Sequence, residues 1–161
     1  RLDCPNDRYI NDEAICQAAV GMFGQIGIDV TLDAKPRAQH FPLINRQPPE
    51  TDFYMLGWGV PTYDSEYIFN FLVHTRADGR GSWNGTRYSN PSLDAKIRSL
   101  SSNTDLEERN SVIAEIWREF DEELVYLPIH HQVLNWGMSE KVDTIVDPGN
   151  TPLFKFIRMA E

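Results

Sequence analysis

Apolar residues recur at helical spacing between positions 11 and 27, and this pattern predicts an amphipathic helix. Asn11 stands where the side chain of a helix cap is expected, and Gly27 supplies a stop at the other end. The apolar stripe of this helix comprises Ile15, Ala18, Ala19, Met22, Phe23 and Ile26. We expect this stripe to face the core.

Two predicted strands flank the helix. Residues 1–4 form the first, and residues 28–32, which alternate apolar and polar side chains, form the second. A strand, a helix and a strand in this order are typical of a β-α-β unit. Its two strands should be parallel and joined by a right-handed crossover.

The middle of the chain continues this alternation. A short helix is predicted over 36–45, although Pro42 weakens it, and residues 47–49 form a turn. Residues 52–58 read as a short strand buried on both faces. A second short helix is predicted over 67–73, and the glycine-rich, polar residues 76–88 form a loop.

Two further helices follow. Asn90 and Pro91 open the first as its cap and first helical residue. Thr104 and Glu107 have the spacing of a capping box for the second. One face of the first helix carries Leu93, Ile97 and Leu100, and the stripe of the second carries Leu106, Ile113, Ile116, Trp117, Phe120 and Leu124.

Strands are predicted again near the end, over 126–136 and over 153–157. The whole pattern therefore predicts an α/β lobe, with a β-α-β core and helices on the faces of its sheet. The chain has neither the glycine pattern of a dinucleotide-binding fold nor the lysine motif of a phosphate-binding loop.

Composition and charge limit the possible partners. The 161 residues are 41% hydrophobic and 24% charged, as in a globular domain with one core. A formal net charge of -9 argues against nucleic acid and against anionic membrane surfaces as partners. No charged-then-apolar leader is present, and residues 1–5 resemble the middle of a strand. We therefore expect a mature or excised fragment of something longer.

The two cysteines, Cys4 and Cys16, are not spaced as a metal-binding pair. A disulfide between the first strand and the following helix is sterically plausible. Two free buried cysteines are the alternative, because free cysteine is often buried. If the disulfide forms, the protein belongs in an oxidising compartment.

The segment 57–67 carries the strongest functional signal. It follows a predicted strand, and ligands of open α/β sheets lie at the carboxyl ends of strands. Its glycines, Gly57 and Gly59, allow close backbone approach, its aromatic residues supply flat surface, and its carboxylates can accept from an ammonium group. These aromatic and acidic residues are Trp58, Tyr63, Asp64, Glu66 and Tyr67. Alternatively, Asp64 simply caps a helix that starts near Ser65.

An ordered set of strings resembles the C-terminal lobe of the family 5 solute-binding proteins, the dipeptide and oligopeptide receptors of ABC importers. These strings are DFYMLGW at 52–58, YDSE at 63–66, YSNP at 88–91 with Asp94, and LPIHH at 127–131. The resemblance covers nearly the whole chain and keeps the order of its elements.

This resemblance implies a periplasmic-binding-protein-like lobe of type II, with a mixed sheet, spanning residues 1–161. The protein is then periplasmic, is not an enzyme and uses no cofactor. Its partners are a peptide or peptide-like solute, the N-terminal lobe of the same receptor and a membrane permease. An acidic residue after the Gly-Trp strand typically receives the peptide's amino terminus, and Glu66 best matches it, with Asp64 next. The family more often has Asp-Pro-Asp where this chain has Asp64-Ser65-Glu66.

Two further pairs of residues are candidates for binding a ligand or a metal ion. Trp83 and Asn84 lie in the predicted loop, where an aromatic ring beside an amide suits recognition of a peptide backbone. His130 and His131 are adjacent, and adjacent side chains of a strand point to opposite faces, which argues against a shared metal ion. We predict no metal site.

Two functions of other classes stay open. A hydrolase could use Asp64 and Glu66 as a general acid–base pair, although the chain has neither a nucleophile elbow nor a zinc-protease helix motif. A sensory or interaction domain derived from a binding lobe is the other alternative.

Overall fold

The computed structural model describes residues 1–48 and 50–159, so Pro49 of the predicted turn lies outside the described residues. The first half contains strand β1 (Leu2–Pro5), helix α1 (Asp12–Gln25), strand β2 (Leu32–Lys35), helix α2 (Arg37–Ile44) and strand β3 (Phe53–Tyr54). The second half contains α3 (Ser65–Ile68), a π-helical turn (Phe69–Val73), α4 (Pro91–Leu100), α5 (Leu106–Glu122), β4 (Val142–Asp143), a 3-10 turn (Phe154–Phe156) and β5 (Arg158–Met159).

A three-stranded parallel sheet in the order β2-β1-β3 organises the first half. Every residue of β1 is buried, because β1 is the central strand and lies against α1 and α2. The predicted parallel β-α-β unit is therefore confirmed. However, β2 begins at Leu32, where the prediction ended, and β3 is a half-buried pair of residues rather than the buried strand predicted over 52–58.

The disulfide between Cys4 and Cys16 joins β1 to α1, which decides between the two alternatives left open by the sequence. Both residues belong to a small core with Leu2 and Val30. The thioether of Met55 lies 3.6 Å and 3.5 Å from the two sulfurs. A disulfide of this kind contributes about 2–4 kcal/mol, chiefly by restricting the unfolded chain.

The inward face of helix α1 matches the predicted stripe only in part, at Ala19 and Phe23. Its core face carries Cys16, Ala19, Val20 and Phe23, which follow one another at helical spacing. Met22 and Ile26 of the predicted stripe are 66% and 71% exposed. The prediction was wrong there because the disulfide fixes the position of Cys16 and thereby the rotation of the helix.

The start of α1 also differs from the prediction. Asn11 adopts a left-handed backbone conformation and makes no capping hydrogen bond with its side chain. Instead, the buried carboxylate of Asp12 accepts hydrogen bonds from the backbone N–H groups of Arg8 and Tyr9, both at 3.0 Å. The loop before the helix is therefore held by Asp12.

Helices make the larger core of the second half. Its buried residues are Phe69, Leu72, Val73, Leu93, Ile97, Leu100, Ile116 and Phe120. As predicted, Asn90 caps α4 by accepting from Ser92 and Leu93 at 3.1 Å. The capping box predicted for α5 was wrong, because Asp105 rather than Thr104 caps it.

The segment after α5 lacks the strands predicted over 126–136 and 153–157. Its regular structure consists of the 3-10 turn and of β4, which pairs with β5 in an antiparallel ribbon. Leu127, Ile129 and Val133 are 67%, 64% and 68% exposed. A strand needs a neighbour to bond with, and the described residues offer this segment none. No helix in the described part of the chain is long and apolar enough to cross a membrane.

His40 is a buried polar residue at the centre of the first half. Its ring Nε2 lies 2.9 Å from the backbone carbonyl oxygen of Met55, which makes it the donor to that oxygen. The ring Nδ1 is buried without a partner in the described chain. Burial lowers the pKa of His40 below the ordinary 6.5, so the folded protein holds a neutral ring.

The pKa of His40 predicts a loss of stability in mild acid. Below about pH 6.5 the unfolded chain binds a proton that the folded ring resists, so the free energy of unfolding falls as the pH drops. His40→Gln keeps an amide donor but does not titrate, and we expect its unfolding free energy to fall less between pH 7 and about pH 5. Chemical denaturation across that range measures the difference. If the unfolding free energy of both proteins falls equally with pH, folding does not lower the pKa of His40.

Candidate functional site

The candidate site is built on the bend that follows β3, residues 57–67. Helix α3 begins within this segment, at Ser65, and the carboxylate of Asp64 caps it by accepting from the N–H of Glu66 at 2.8 Å. The capping alternative considered for Asp64 is therefore confirmed. Capping leaves the other carboxylate oxygen of Asp64 free for a second partner.

That partner is Arg109 of α5. Its guanidinium donates to both oxygens of Asp64 at 2.7 Å and 3.0 Å, and to Glu66 Oε2 at 2.8 Å. The three side chains are 15%, 36% and 21% exposed for Arg109, Asp64 and Glu66, so the cluster is largely shielded from water. The hydrogen bonds from Arg109 lower the pKa of Asp64, which keeps its carboxylate ionised. We call these three residues the Arg109 cluster.

The remaining oxygen of Glu66 is also occupied. Its Oε1 accepts from the amide of Asn70 at 3.2 Å and from the hydroxyl of Ser101 at 2.7 Å. Each of the four carboxylate oxygens in the Arg109 cluster thus already accepts at least one hydrogen bond from the chain itself. This geometry argues against the prediction that Glu66 or Asp64 receives a ligand's ammonium group.

Aromatic rings, rather than charges, form the surface beside the bend. The ring of Trp58 lies 6.0 Å from Tyr67, 5.9 Å from Phe71 and 5.9 Å from Trp83, and Phe41 meets Trp83 edge-on at 5.8 Å. Offset and edge-on arrangements at these distances are favourable for aromatic pairs. We call these five residues the aromatic cluster.

An open cavity of about 270 Å³ lies against this cluster. It is lined by Arg8, Tyr9, Phe41, Leu56, Gly57, Trp58, Gly59, Tyr67 and Trp83. A side chain added at Gly59 would meet no atom within 4 Å, whereas one at Gly57 would strike the ring of Tyr9 at 2.7 Å. Close approach of a ligand backbone is thus possible at Gly59 and blocked at Gly57.

The predicted site residues therefore separate into groups. Trp58, Gly59, Tyr67 and Trp83 come together around the 270 Å³ cavity. Tyr63 and Asp64 line a second, smaller cavity of about 200 Å³ with Val60, Ser65 and Ile68. Tyr63 is hydrogen-bonded to the loop before the 3-10 turn. Its hydroxyl donates to Asp147 at 2.8 Å and accepts from the N–H of Gly149 at 3.1 Å.

Asn84 does not reach the cavity. It is 1% exposed, and its amide donates to the carbonyl oxygens of His74 at 3.1 Å and Tyr88 at 2.8 Å. These bonds fix the loop that carries Trp83, so Asn84 positions its neighbour and does not itself face a ligand. His130 and His131 are both exposed and lie outside any strand, so the opposite-face argument does not apply to them.

Sequence reasoning missed the partners that complete both parts of the site. Arg8 and Tyr9 precede α1, Phe41 belongs to α2, and Arg109 lies on α5, so all are distant in sequence from the bend. Nothing in the spacing of Arg109 distinguishes it from Arg118 on the same helix. The sequence analysis assigned Asp64 and Glu66 to a ligand's ammonium group or to helix capping, and it did not consider an arginine of the chain as their partner.

Neither a family model nor a curated protein matches the chain. Several solved structures, in contrast, are similar to this chain. A dipeptide-binding protein from Pseudoalteromonas sp. SM9913, in complex with Met-Leu, is 19% identical with a TM-score of 0.75 over 99% of this chain and 32% of its own. The oligopeptide-binding protein AppA from Bacillus subtilis, in complex with a nonapeptide, is 16% identical with a TM-score of 0.69 over 99% and 31%.

A third similar structure is NikZ from Campylobacter jejuni, in complex with Ni(L-His), at 17% identity and a TM-score of 0.61 over 77% of this chain and 24% of its own. The chain thus spans a third or less of each of these proteins. These likenesses confirm the predicted fold, a mixed α/β lobe of the type II periplasmic binding proteins.

The Arg109 cluster predicts a stability effect. Arg109→Met leaves two partly buried carboxylates without their cation, and we expect the free energy of unfolding to fall by about 1–3 kcal/mol at pH 7. The partial exposure of Asp64 places the effect below that of a fully buried pair. Chemical denaturation measures it, and Arg118→Met on the exposed side of the same helix is the control.

The pH dependence of this loss in unfolding free energy is a second measurement of the same ion pair. Because the pKa of Asp64 is lowered in the folded state, its contribution is present above the ordinary pKa of 3.8 and disappears as the pH falls through the lower folded value. The stability curves of the wild type and Arg109→Met should therefore converge in acid. A constant difference down to pH 2, or a loss equal to that of Arg118→Met, would contradict the role given to this ion pair.

Proposed function

We propose that this chain is the C-terminal lobe of a periplasmic receptor that binds a peptide or a peptide-like solute between two lobes. The receptor delivers the solute to the membrane permease of an ABC importer. The aromatic surface of the 270 Å³ cavity carries this proposal. Peptide complexes of proteins with the same fold support the choice of ligand.

The aromatic cluster has the properties of one wall of a binding cleft. Most lining residues of ligand sites are apolar or aromatic, with a few polar groups to orient the ligand. Here Trp58, Tyr67 and Trp83 contribute aromatic rings, and Gly59 leaves room for a backbone. The cavity is open on one side, which suits a surface that a second lobe covers.

The segment after α5 supports the existence of that second lobe. Leu127, Ile129 and Val133 are exposed on this segment, and Phe154 is 77% exposed. Several large apolar side chains exposed on one segment are typical of contact with another domain or protein. Because the chain spans about a third of the proteins that share its fold, we assign this segment to contact with the rest of the receptor.

The disulfide supports the proposed location. Disulfides such as that between Cys4 and Cys16 form and persist in oxidising compartments, of which the periplasm is one. Binding is also favoured over hydrolysis. A general acid–base pair needs carboxylates that can exchange protons with a substrate, whereas Asp64 and Glu66 are paired with Arg109.

Native mass spectrometry of the full-length protein purified from its host tests the proposal. We expect a co-purified solute with the mass of a peptide or of a similar small molecule, released when the protein is unfolded. Protein that carries no solute, and that captures none from a mixture of peptides, would contradict the proposed function.

Gly59 allows a sharper test of where the solute lies. A side chain at this position meets no atom within 4 Å, so we expect Gly59→Val to leave the free energy of unfolding within about 0.5 kcal/mol of the wild type. The added methyl groups occupy the space of the ligand backbone, and affinity for the co-purified solute should fall at least about tenfold. Calorimetric titration measures this.

Gly21→Val on α1 is the matched control, because a side chain at Gly21 also meets nothing within 4 Å and Gly21 does not line the cavity. Unchanged affinity in Gly59→Val, or an equal loss in Gly21→Val, would place the solute elsewhere.

A further inference from the structure

The disulfide between Cys4 and Cys16 encloses a loop that lines the 270 Å³ cavity. This loop, residues 6–11, has no helix or strand of its own, and Arg8 and Tyr9 lie on the wall of the cavity. Cys4 precedes the loop in β1 and Cys16 follows it in α1, so the bond closes the chain around it. An inference about this bond rests on the proposed function, because the cavity is the proposed binding surface.

The disulfide reaches the backbone of the loop through the first turn of α1. Asp12 and Cys16 are four residues apart and therefore lie on the same face of that helix. The carboxylate of Asp12 accepts hydrogen bonds from the N–H groups of Arg8 and Tyr9, both at 3.0 Å. The carbonyl oxygen of Asp12 lies 3.5 Å from the sulfur of Cys4. A shift of α1 against β1 therefore moves the backbone of both residues that line the cavity.

The start of the loop is held by other elements. The N–H of Asn6 donates to the carbonyl oxygen of Lys35 at the end of β2, at 3.1 Å. The carboxylate of Asp7 accepts from the N–H of Arg37, the first residue of α2, at 2.6 Å. Loss of the disulfide therefore releases the second half of the loop, which lines the cavity, more than its first half.

Met55 connects the disulfide to the bend as well. Its thioether lies 3.6 Å and 3.5 Å from the two sulfurs, and the next residues along the chain, 56–59, line the cavity. The hydroxyl of Tyr9 donates to the carbonyl oxygen of Gly57 at 3.0 Å, which joins the loop to the bend at the cavity itself. Two of the segments that line the cavity thus contact the same cross-link.

The sulfurs are closed to solvent in the folded protein. Cys4 is 0% exposed and Cys16 is 2% exposed. Reduction requires a thiolate to attack one of the two sulfurs, so α1 or the loop must first move away from β1. The conformations that expose the disulfide are therefore conformations in which one wall of the cavity is displaced.

We propose that the disulfide between Cys4 and Cys16 positions the loop that lines the cavity, and that its redox state is thereby coupled to ligand binding. In the oxidised protein Tyr9 is held against Gly57, and the cavity is formed before the ligand arrives. The two cysteines are positioning residues, which act through the loop and do not touch the ligand.

A dithiol reverses this state. It reduces the S–S bond to two thiols by giving two electrons and two protons, and is itself oxidised to a disulfide. Binding to the reduced protein must order the loop as well, which lowers the affinity. Coupling of this kind is reciprocal, so the ligand favours the oxidised form by the same factor by which oxidation favours the ligand.

Peptide capture by the full-length protein tests the effect on affinity. The probe is a pool of di- and tripeptides rich in phenylalanine, and native mass spectrometry measures the fraction of protein that carries a peptide. We expect the double variant Cys4→Ala, Cys16→Ala to bind about fivefold more weakly or worse, because the loop is no longer ordered before binding. Val30→Ala is the matched control, since Val30 belongs to the same small core as the disulfide but does not line the cavity.

Reduction of the wild type by dithiothreitol is a second test, which keeps both sulfur atoms in the core. The reduced wild type should lose affinity as the double variant does and recover it on reoxidation, whereas dithiothreitol should not change capture by the double variant. The peptide pool at saturation should also slow the reduction of Cys4 and Cys16 about fivefold or more, measured by alkylation of the released thiols. This last measurement needs no variant that folds.

Amide hydrogen exchange without any ligand tests the positioning role by itself. We expect the N–H groups of Arg8 and Tyr9 to exchange faster in the reduced wild type and in the double variant, and the N–H of Asn6 to change less. A bond that only stabilises the fold would raise exchange throughout the lobe and would leave the affinity of the folded protein unchanged.

The outcomes separate the two proposals. If the oxidised wild type captures no peptide and the protein from its host carries no solute, the proposed function fails, and the coupling fails with it. If the oxidised and reduced proteins capture peptides equally well, or if peptides do not protect the disulfide, the coupling is overturned and the proposed function stands. Equal losses of affinity in Val30→Ala and the double variant would also overturn it.

Discussion

The Arg109 cluster is the constraint on which the site depends. Arg109 lies on α5, while Asp64 and Glu66 belong to the bend and to the first turn of α3, so three charged groups hold distant parts of the chain together. With the bend fixed, Trp58 can contact both Tyr67 and Trp83, which belongs to the following loop. The same contacts give each of the four oxygens of the two carboxylates a hydrogen-bond partner within the chain. The Arg109 cluster thus holds the bend from which the aromatic surface is built.

Local sequence signals predicted the parts of the fold that short-range bonds decide. Asn90 before Pro91 predicted a helix start correctly, because a cap bonds to N–H groups two and three residues away. The rotation of α1 could not be predicted in this way, since it follows from a disulfide to another element. The strand predicted over 126–136 failed for a related reason: alternation describes a side-chain pattern, but a strand also needs a neighbour.

The candidate site shows the same difference between features that local sequence predicts and features that tertiary contacts decide. Trp58, Gly59, Tyr67 and Trp83 were identified from residue type and position, and they do line one cavity. The pairing of Asp64 and Glu66 with Arg109 could not be predicted, because the partner of a carboxylate is decided by tertiary structure. An acidic pair beside aromatic rings fits a ligand's ammonium group and an internal arginine equally well until the fold places Arg109. Arg8 was missed because it lies in the loop before α1, at no recognisable motif.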